Sequence, residues 1–183
     1  MRLTETASAS WLRRAVATAA LVVLVGYGVL WLAARAIRPY QEWSKSVECR
    51  RNIHILVRGF NMYADDYDGR YLPAERWEDC VEPYAPPKYR RCPSAAPDAA
   101  GAGYAADLAR SGAERIKLDD ESMAALLYDS AQSVRNAAGR QQDMPVPGRH
   151  ITRRRQERAS VRGNWIGYAD GSCRLKPDHN PGP

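Results

Sequence analysis

A long run without charge near the N-terminus constrains this chain most. The twenty residues from Ala15 to Ala34, "AVATAALVVLVGYGVLWLAA", carry no charged side chain. A helix of about 20 apolar residues is long enough to cross the hydrocarbon core of a bilayer. Trp11 and Trp31 lie near its two ends, where amphipathic rings favour the membrane interface. A cleaved signal peptide and a buried core helix are the alternatives, but signal peptides usually have a shorter apolar region. We therefore predict an uncleaved transmembrane helix over residues 15–36.

The cysteines all follow this segment. They are Cys49, Cys80, Cys92 and Cys173. No pair has CxxC spacing, so we expect no structural zinc site. An even number of cysteines in a small exported domain favours disulfides. Basic residues flank the span equally on both sides and leave its orientation open. We predict a short cytoplasmic N-terminus (1–14), an extracytoplasmic domain (37–177) and a frayed tail (178–183).

An apolar stripe at helical spacing follows the span. Its members recur every three or four residues, as on one face of a helix, and are Cys49, Ile53, Leu56, Val57, Phe60, Tyr63 and Ala64. Pro39 alone interrupts the pattern, and a helix can kink there and continue. We predict one long N-terminal helix whose outer half packs on a small domain.

The C-terminal part has the pattern of a β-hairpin. Asp170-Gly171 lies between the runs "NWIGY" and "CRLK", and an Asp-Gly turn between alternating runs is a strong hairpin signal. Residues 65–104 are rich in proline and indicate loops, with one short helix in "AERWEDCVEPY". "YAADLAR" is interpreted as a further helical turn, and Ser122–Ser130 stays ambiguous between helix and strand. The fold class is therefore α+β, with a long helix packed on a small antiparallel sheet.

Short motifs along the soluble part resemble one protein family. In order they are Cys49-x-x-Asn52, Met62-Tyr63-Ala64-x-Asp66-Tyr67-x-Gly69, Pro73, Trp77, Pro83-Tyr84, Cys92-Pro93-Ser94, Arg149-His150 and Tyr168-Ala169-Asp170-Gly171-Ser172. This set resembles the pseudopilin-like proteins of planctomycetes and armatimonads, relatives of type II secretion pseudopilins and type IV pilins. The resemblance spans about residues 49–176. It implies a pilin-like fold, a place in the cytoplasmic (inner) membrane with a single span, and pseudopilin or secretion-system partners.

The chain departs from that family in two places. The residues before the span, "TASASWLRRAVAT", lack the Gly-Phe junction that prepilin peptidase cuts, and the apolar run contains no glutamate. The interval from His150 to Asp170 is longer than in the family, because it contains "TRRRQERASVRG". The resemblance contains both Cys49 and Cys92 and implies a bridge between them. Cys80 and Cys173 lie outside the pattern and are candidates to pair with each other, and the other connectivities stay open.

Three carboxylates near Gly69 have partial calcium-loop spacing. With Gly69 as the sixth position, Asp66, Asp68 and Glu75 take positions three, five and twelve of an EF-hand loop. Ala64 stands at the first position, where an aspartate ligand is expected, and Pro73 lies inside the loop. We favour a turn that ends the helix, with Gly69 at positive φ. We predict no cofactor and keep calcium as a weaker alternative.

An arginine-rich segment contains Arg153, Arg154, Arg155 and Arg158. We interpret it first as a solvated loop, second as a contact for a protein partner, and third as a nucleic-acid site, because it lacks aromatic residues for base stacking. The histidines are His54, His150 and His179, and no HExxH or GxSxG motif surrounds them. Asp129 and Asp170 can be grouped with His150, but such a grouping is not specific. We predict no enzyme.

The sequence therefore favours a membrane-anchored, pseudopilin-like component of a secretion or pilus-like assembly. The alternative is an anchored extracytoplasmic binding module, for DNA or polysaccharide, that no longer enters a filament. The missing peptidase junction distinguishes the two hypotheses, because it argues against entry into a filament and leaves the prediction of the fold unaffected.

Overall fold

Helix α1 spans Thr4–Asp66 and contains Pro39. The computed structural model of the protein describes residues 4–95, 103–132, 134–153 and 160–178. The predicted transmembrane segment, 15–36, lies wholly within α1. The chain divides into two compact units, Met1–Gln41 and Glu42–Pro183.

The first unit is helical and exposes its apolar side chains. Every large apolar side chain from Val16 to Ile37 is at least 52% exposed. The helix is long and apolar enough to cross a membrane. Such a surface is compatible with a single-pass membrane anchor, because apolar side chains are more stable in the hydrocarbon core of a bilayer than in water.

The second unit adds a short helix and six strands to the end of α1 within the described residues. The bounds are α2 Trp77–Cys80, β1 Tyr104–Asp107, β2 Ala125–Asp129, β3 Ala138–Gly139, β4 His150–Arg153, β5 Ser160–Tyr168 and β6 Cys173–Pro177. The short helix predicted after Pro73 is confirmed. The helical turn predicted at Tyr104 is wrong, because Tyr104–Asp107 pairs with β2, and only Leu108–Arg110 forms a 3₁₀ turn.

The strands form one mixed sheet in the order β3-β1-β2-β5-β4, with β6 on β5. All neighbours are antiparallel except β3, which runs parallel to β1. The predicted α+β class, a long N-terminal helix packed on a small sheet, is confirmed, and the sheet departs from the predicted antiparallel pairing at β3 alone among the described strands. Gly163 pairs with both β4 and β6, and Gly167 pairs with both β2 and β6. Strands β2 and β4 thus share one edge of β5, and β6 takes the other.

The predicted stripe of α1 packs on the sheet. Its residues from Cys49 to Ala64 are at most 2% exposed, apart from the partly buried Tyr63. A Cβ added at Gly167 on β5 would meet Val57 Cγ2 and, at 2.7 Å, Ile53 Cγ2. The helix therefore approaches β5 more closely than a strand with a side chain at that position permits.

Two predicted turns are confirmed. Strands β5 and β6 form the hairpin around Asp170-Gly171, with Gly171 at φ +82°. After α1, Asp68 and Gly69 both adopt positive φ, and the Gly69 N–H donates to the Ala64 carbonyl at 2.8 Å. Asp178, assigned by sequence to the frayed tail, accepts the Gly148 N–H at 2.8 Å, and residues 179–183 lie outside the described part.

Candidate functional site

The sheet topology brings Asp129 and His150 together. Asp129 is the last residue of β2 and His150 the first of β4, and both strands lie along the same edge of β5. One strand ends and the other begins near Trp165, whose N–H donates to Asp129 Oδ2 at 2.6 Å. His150 Nε2 lies 3.2 Å from the same carboxylate oxygen.

Two thiols complete a cluster with these side chains. Cys49 comes from the buried face of α1, and its Sγ lies 3.2 Å from Asp129 Oδ1. Cys92 comes from the loop before β1, and its Sγ lies 3.6 Å from His150 Nε2. The four donor atoms lie within 4.8 Å of one another. All four residues are at most 1% exposed, so solvent does not reach the cluster.

Polar groups at or next to the ends of β1, β2 and β4 surround this four-residue cluster. The Tyr104 hydroxyl lies 3.2 Å from Cys49 Sγ. The Arg149 guanidinium donates to the Gly103 carbonyl at 2.9 Å and to the Ser130 carbonyl at 2.7 Å. His150 Nδ1 is buried and has no hydrogen-bond partner within the described residues. The imidazole thus directs only Nε2 into the cluster.

Burial and hydrogen bonds shift the pKa values of three members of the cluster. A hydrogen bond from Cys49 and contact with His150 outweigh burial and lower the pKa of Cys92 to about 5. Burial alone would lower the pKa of His150, but its bonds to Asp129 and Cys92 raise that pKa to about 9. Burial raises the pKa of Cys49 well above its ordinary value. These shifts favour the charged forms of Cys92 and His150 and the protonated form of Cys49.

All four cysteines are free thiols, so the predicted disulfides are wrong for this structure. Cys49 and Cys92 lie together, as expected from the resemblance, but no bond joins their sulfurs, which also contact Asp129 and His150. Cys80 ends α2 beside Tyr63, whereas Cys173 begins β6 opposite Gly167. These two cysteines occupy different elements with different neighbours.

The calcium candidates are not brought together. Asp66 accepts a hydrogen bond from the Tyr84 hydroxyl at 2.7 Å, Glu75 accepts one from Ser111 at 3.3 Å, and Asp68 lies exposed in the turn. Among the described residues, the buried cysteine cluster alone gathers three or more potential metal ligands. Of the basic patch, the Arg153 backbone ends β4, while Arg154, Arg155 and Arg158 lie outside the described residues.

Sequence reasoning missed two members of the cluster. The sequence permits a grouping of Asp129 and Asp170 with His150 that is not specific, and no local pattern joins these residues to the cysteines. The available signal was that Cys49, Cys92 and His150 all belong to the short motifs that carry the resemblance. Asp129 ends a strand whose pairing is long-range, so no local pattern marks it.

No protein-family model, curated protein or solved structure matches this chain. The geometry of the two units and of the buried cluster therefore carries the functional conclusions.

Proposed function

We propose that this chain is a membrane-anchored, pilin-like assembly subunit whose α+β domain, residues 42–178, lies on the extracytoplasmic side of the cytoplasmic membrane. One observation carries the proposal: α1 buries its apolar residues in one unit and exposes them in the other. From Cys49 to Ala64 the apolar stripe is covered by the sheet. From Val16 to Ile37 the apolar side chains are uncovered.

An uncovered apolar helix requires an apolar environment. Contiguous exposed apolar surface of this kind marks a membrane or protein interaction site. Lipid meets that requirement for a lone anchor, and neighbouring apolar helices meet it in an assembly. The resemblance to pseudopilins favours contact with neighbouring apolar helices as well as with lipid.

The domain itself has the character of a structural module. Cys92 and His150, two side chains with strongly shifted pKa values, are at most 1% exposed, so a substrate has no path to them without opening the core. Nucleophilic catalysis requires the nucleophile to reach the reacting atom. A role in assembly therefore suits the domain better than catalysis.

The side of the membrane is tested by labelling. Disulfides would have indicated export, but the four cysteines are free thiols. The resemblance to pseudopilins therefore supports the extracytoplasmic position. Ile116 is 92% exposed in the domain and is a suitable reporter position. In a variant with Cys80→Ser and Cys173→Ser, Ile116→Cys should react with a membrane-impermeant maleimide in intact spheroplasts, and the parent without Ile116→Cys should not. Labelling only after lysis contradicts the proposed side.

Assembly is tested by cross-linking within the apolar segment. Gly26 has no atom within 4 Å of an added Cβ, so Gly26→Cys leaves the helix undisturbed. In membranes that also contain the pilin-type proteins and peptidase of the source organism, oxidation should join this cysteine to a second copy or to a pilin-type partner carrying a matching cysteine. The mature N-terminus is sequenced in the same preparation. An intact N-terminus with no cross-link contradicts assembly and leaves the anchored binding module.

A further inference from the structure

We infer that Cys49, Cys92, Asp129 and His150 together bind one zinc ion in a closed, structural site. The inference is independent of the assembly role, because it concerns the stability of the domain whatever its partners. It also contradicts the expectation of no structural zinc site, which was based on the absence of a CxxC pair. Here each ligand comes from a different element: α1, the loop after α2, the end of β2 and the start of β4.

Three distances between donor atoms lie close to the edges of a tetrahedral zinc site. With zinc–sulfur bonds of about 2.3 Å and zinc–nitrogen or zinc–oxygen bonds of about 2.0 Å, the edges of the tetrahedron are about 3.3–3.8 Å. The Cys92 Sγ to His150 Nε2 distance is 3.6 Å. Asp129 lies 3.2 Å from Cys49 through Oδ1 and 3.2 Å from His150 through Oδ2. The remaining pairs of donor atoms lie within 4.8 Å of each other, so ligand shifts of up to about 1 Å bring all four atoms to coordination geometry.

The imidazole geometry distinguishes a metal site from a catalytic triad. In a triad the base uses one ring nitrogen toward the nucleophile and the other toward the orienting carboxylate. Here Cys92 and Asp129 both approach Nε2 of His150, and Nδ1 meets neither. Convergence of a thiol and a carboxylate on one imidazole nitrogen is the arrangement of ligands around a common cation.

The donor set selects the metal. Two thiolates, one imidazole and one carboxylate at tetrahedral positions suit zinc, whereas calcium and magnesium take oxygen ligands. Iron–sulfur clusters use four cysteines or a His₂ replacement, and blue-copper sites use two histidines. This cluster has two cysteines and one histidine, so zinc fits it best.

The surroundings of the cluster supply outer contacts to two of the four ligands, Asp129 and Cys49. The Trp165 N–H holds one oxygen of Asp129, and the Tyr104 hydroxyl lies within hydrogen-bond distance of Cys49. Such outer contacts fix ligand orientation in metal sites. Two thiolates and a carboxylate exceed the charge of zinc by one. A Cβ placed at Gly103 would lie 2.8 Å from Arg149 Nη1 and 3.3 Å from Cys92 Cβ, so a compensating guanidinium lies beside the site.

Metal content of the purified chain tests the inference. The full chain is produced in detergent micelles with a histidine-free affinity tag under reducing conditions, and zinc is counted by mass spectrometry. We expect about one zinc per chain in the wild type and its loss in Cys49→Ser, Cys92→Ser and His150→Gln. The matched controls, Cys80→Ser and Cys173→Ser, alter cysteines outside the cluster and should retain it.

A second measurement keeps the test decisive if ligand variants fail to fold. Wild-type protein stripped with a chelator and titrated with Co²⁺ should show tetrahedral ligand-field bands and thiolate-to-cobalt charge transfer, ending at one equivalent. Chelation should lower the melting temperature of the domain by about 5 °C or more.

Three results overturn the inference. One is a reduced wild type that neither contains zinc nor binds cobalt. Another is equal loss of zinc from the control and ligand variants. The third is a Cys49–Cys92 disulfide, found by mass mapping, in protein isolated without reductant from its native membrane.

Discussion

Gly167→Ala tests how closely α1 packs on the sheet. The new Cβ would overlap Val57 Cγ2 and lie 2.7 Å from Ile53 Cγ2, where carbon atoms prefer about 3.5–4.0 Å. Both neighbours are fully buried, so neither side chain has free space to enter. Overpacking of this kind costs about 1–3 kcal/mol.

A gain partly offsets that cost. Replacing glycine by alanine within a strand stabilises by about 0.5–1 kcal/mol, because the unfolded chain loses freedom. Because both contacts are shorter than 3.0 Å and both neighbours are fully buried, the overpacking cost lies in the upper half of the range of about 1–3 kcal/mol. We therefore expect Gly167→Ala to lower the free energy of unfolding by a net amount of about 1–2.5 kcal/mol. Gly26→Ala, with no atom near its Cβ, is the matched control and should leave the domain unchanged.

The assay is urea unfolding of the full chain in non-ionic detergent, followed by near-ultraviolet circular dichroism. A double-mutant cycle with Val57→Ala isolates the contact. Because Val57→Ala removes the overlapping methyl group, Gly167→Ala should cost at least about 1 kcal/mol less in that background. A neutral or stabilising effect of Gly167→Ala in the wild type refutes the proposed packing.

Three further changes test other parts of the domain. Gly69→Ala should lower the free energy of unfolding by about 1–2 kcal/mol in the same urea assay. Gly69 has φ +73° and an added Cβ would meet no atom within 4 Å, so backbone strain is the only cost. An unchanged free energy of unfolding contradicts the turn. Trp77→Phe should lower the free energy of unfolding by about 2 kcal/mol. It removes the hydrogen bond from Nε1 to the Ala137 carbonyl at 3.0 Å and leaves a gap in a fully buried site. An unchanged urea midpoint argues against that hydrogen bond. Millimolar calcium should leave the melting temperature, measured by scanning fluorimetry, unchanged, because Asp66 and Glu75 are hydrogen-bonded to Tyr84 and Ser111. An upward shift of the melting temperature supports the calcium loop instead.

Local patterns predicted the elements that local chemistry determines. The stripe from Cys49 to Ala64 predicted a helix face because the helical period alone places those residues together. Asp170-Gly171 predicted a hairpin because the turn is encoded in adjacent residues. Both are confirmed.

Long-range pairing determined the rest. Strand β1 is only four residues long, and its helical appearance in the sequence is overridden by its pairing with β2 and β3. The meeting of Asp129 with His150 depends on which edge of β5 receives β2 and β4, and no local signal encodes that edge. The cysteines illustrate the same limit: their number suggested disulfides, while their chemistry depends on the carboxylate and imidazole placed beside them.

X-ray absorption at the zinc edge of the purified full chain tests the buried site most directly. The structure predicts a first shell of two sulfur atoms at about 2.3 Å and two nitrogen or oxygen atoms at about 2.0 Å. A shell of nitrogen and oxygen alone would contradict it, since that shell excludes Cys49 and Cys92 as ligands.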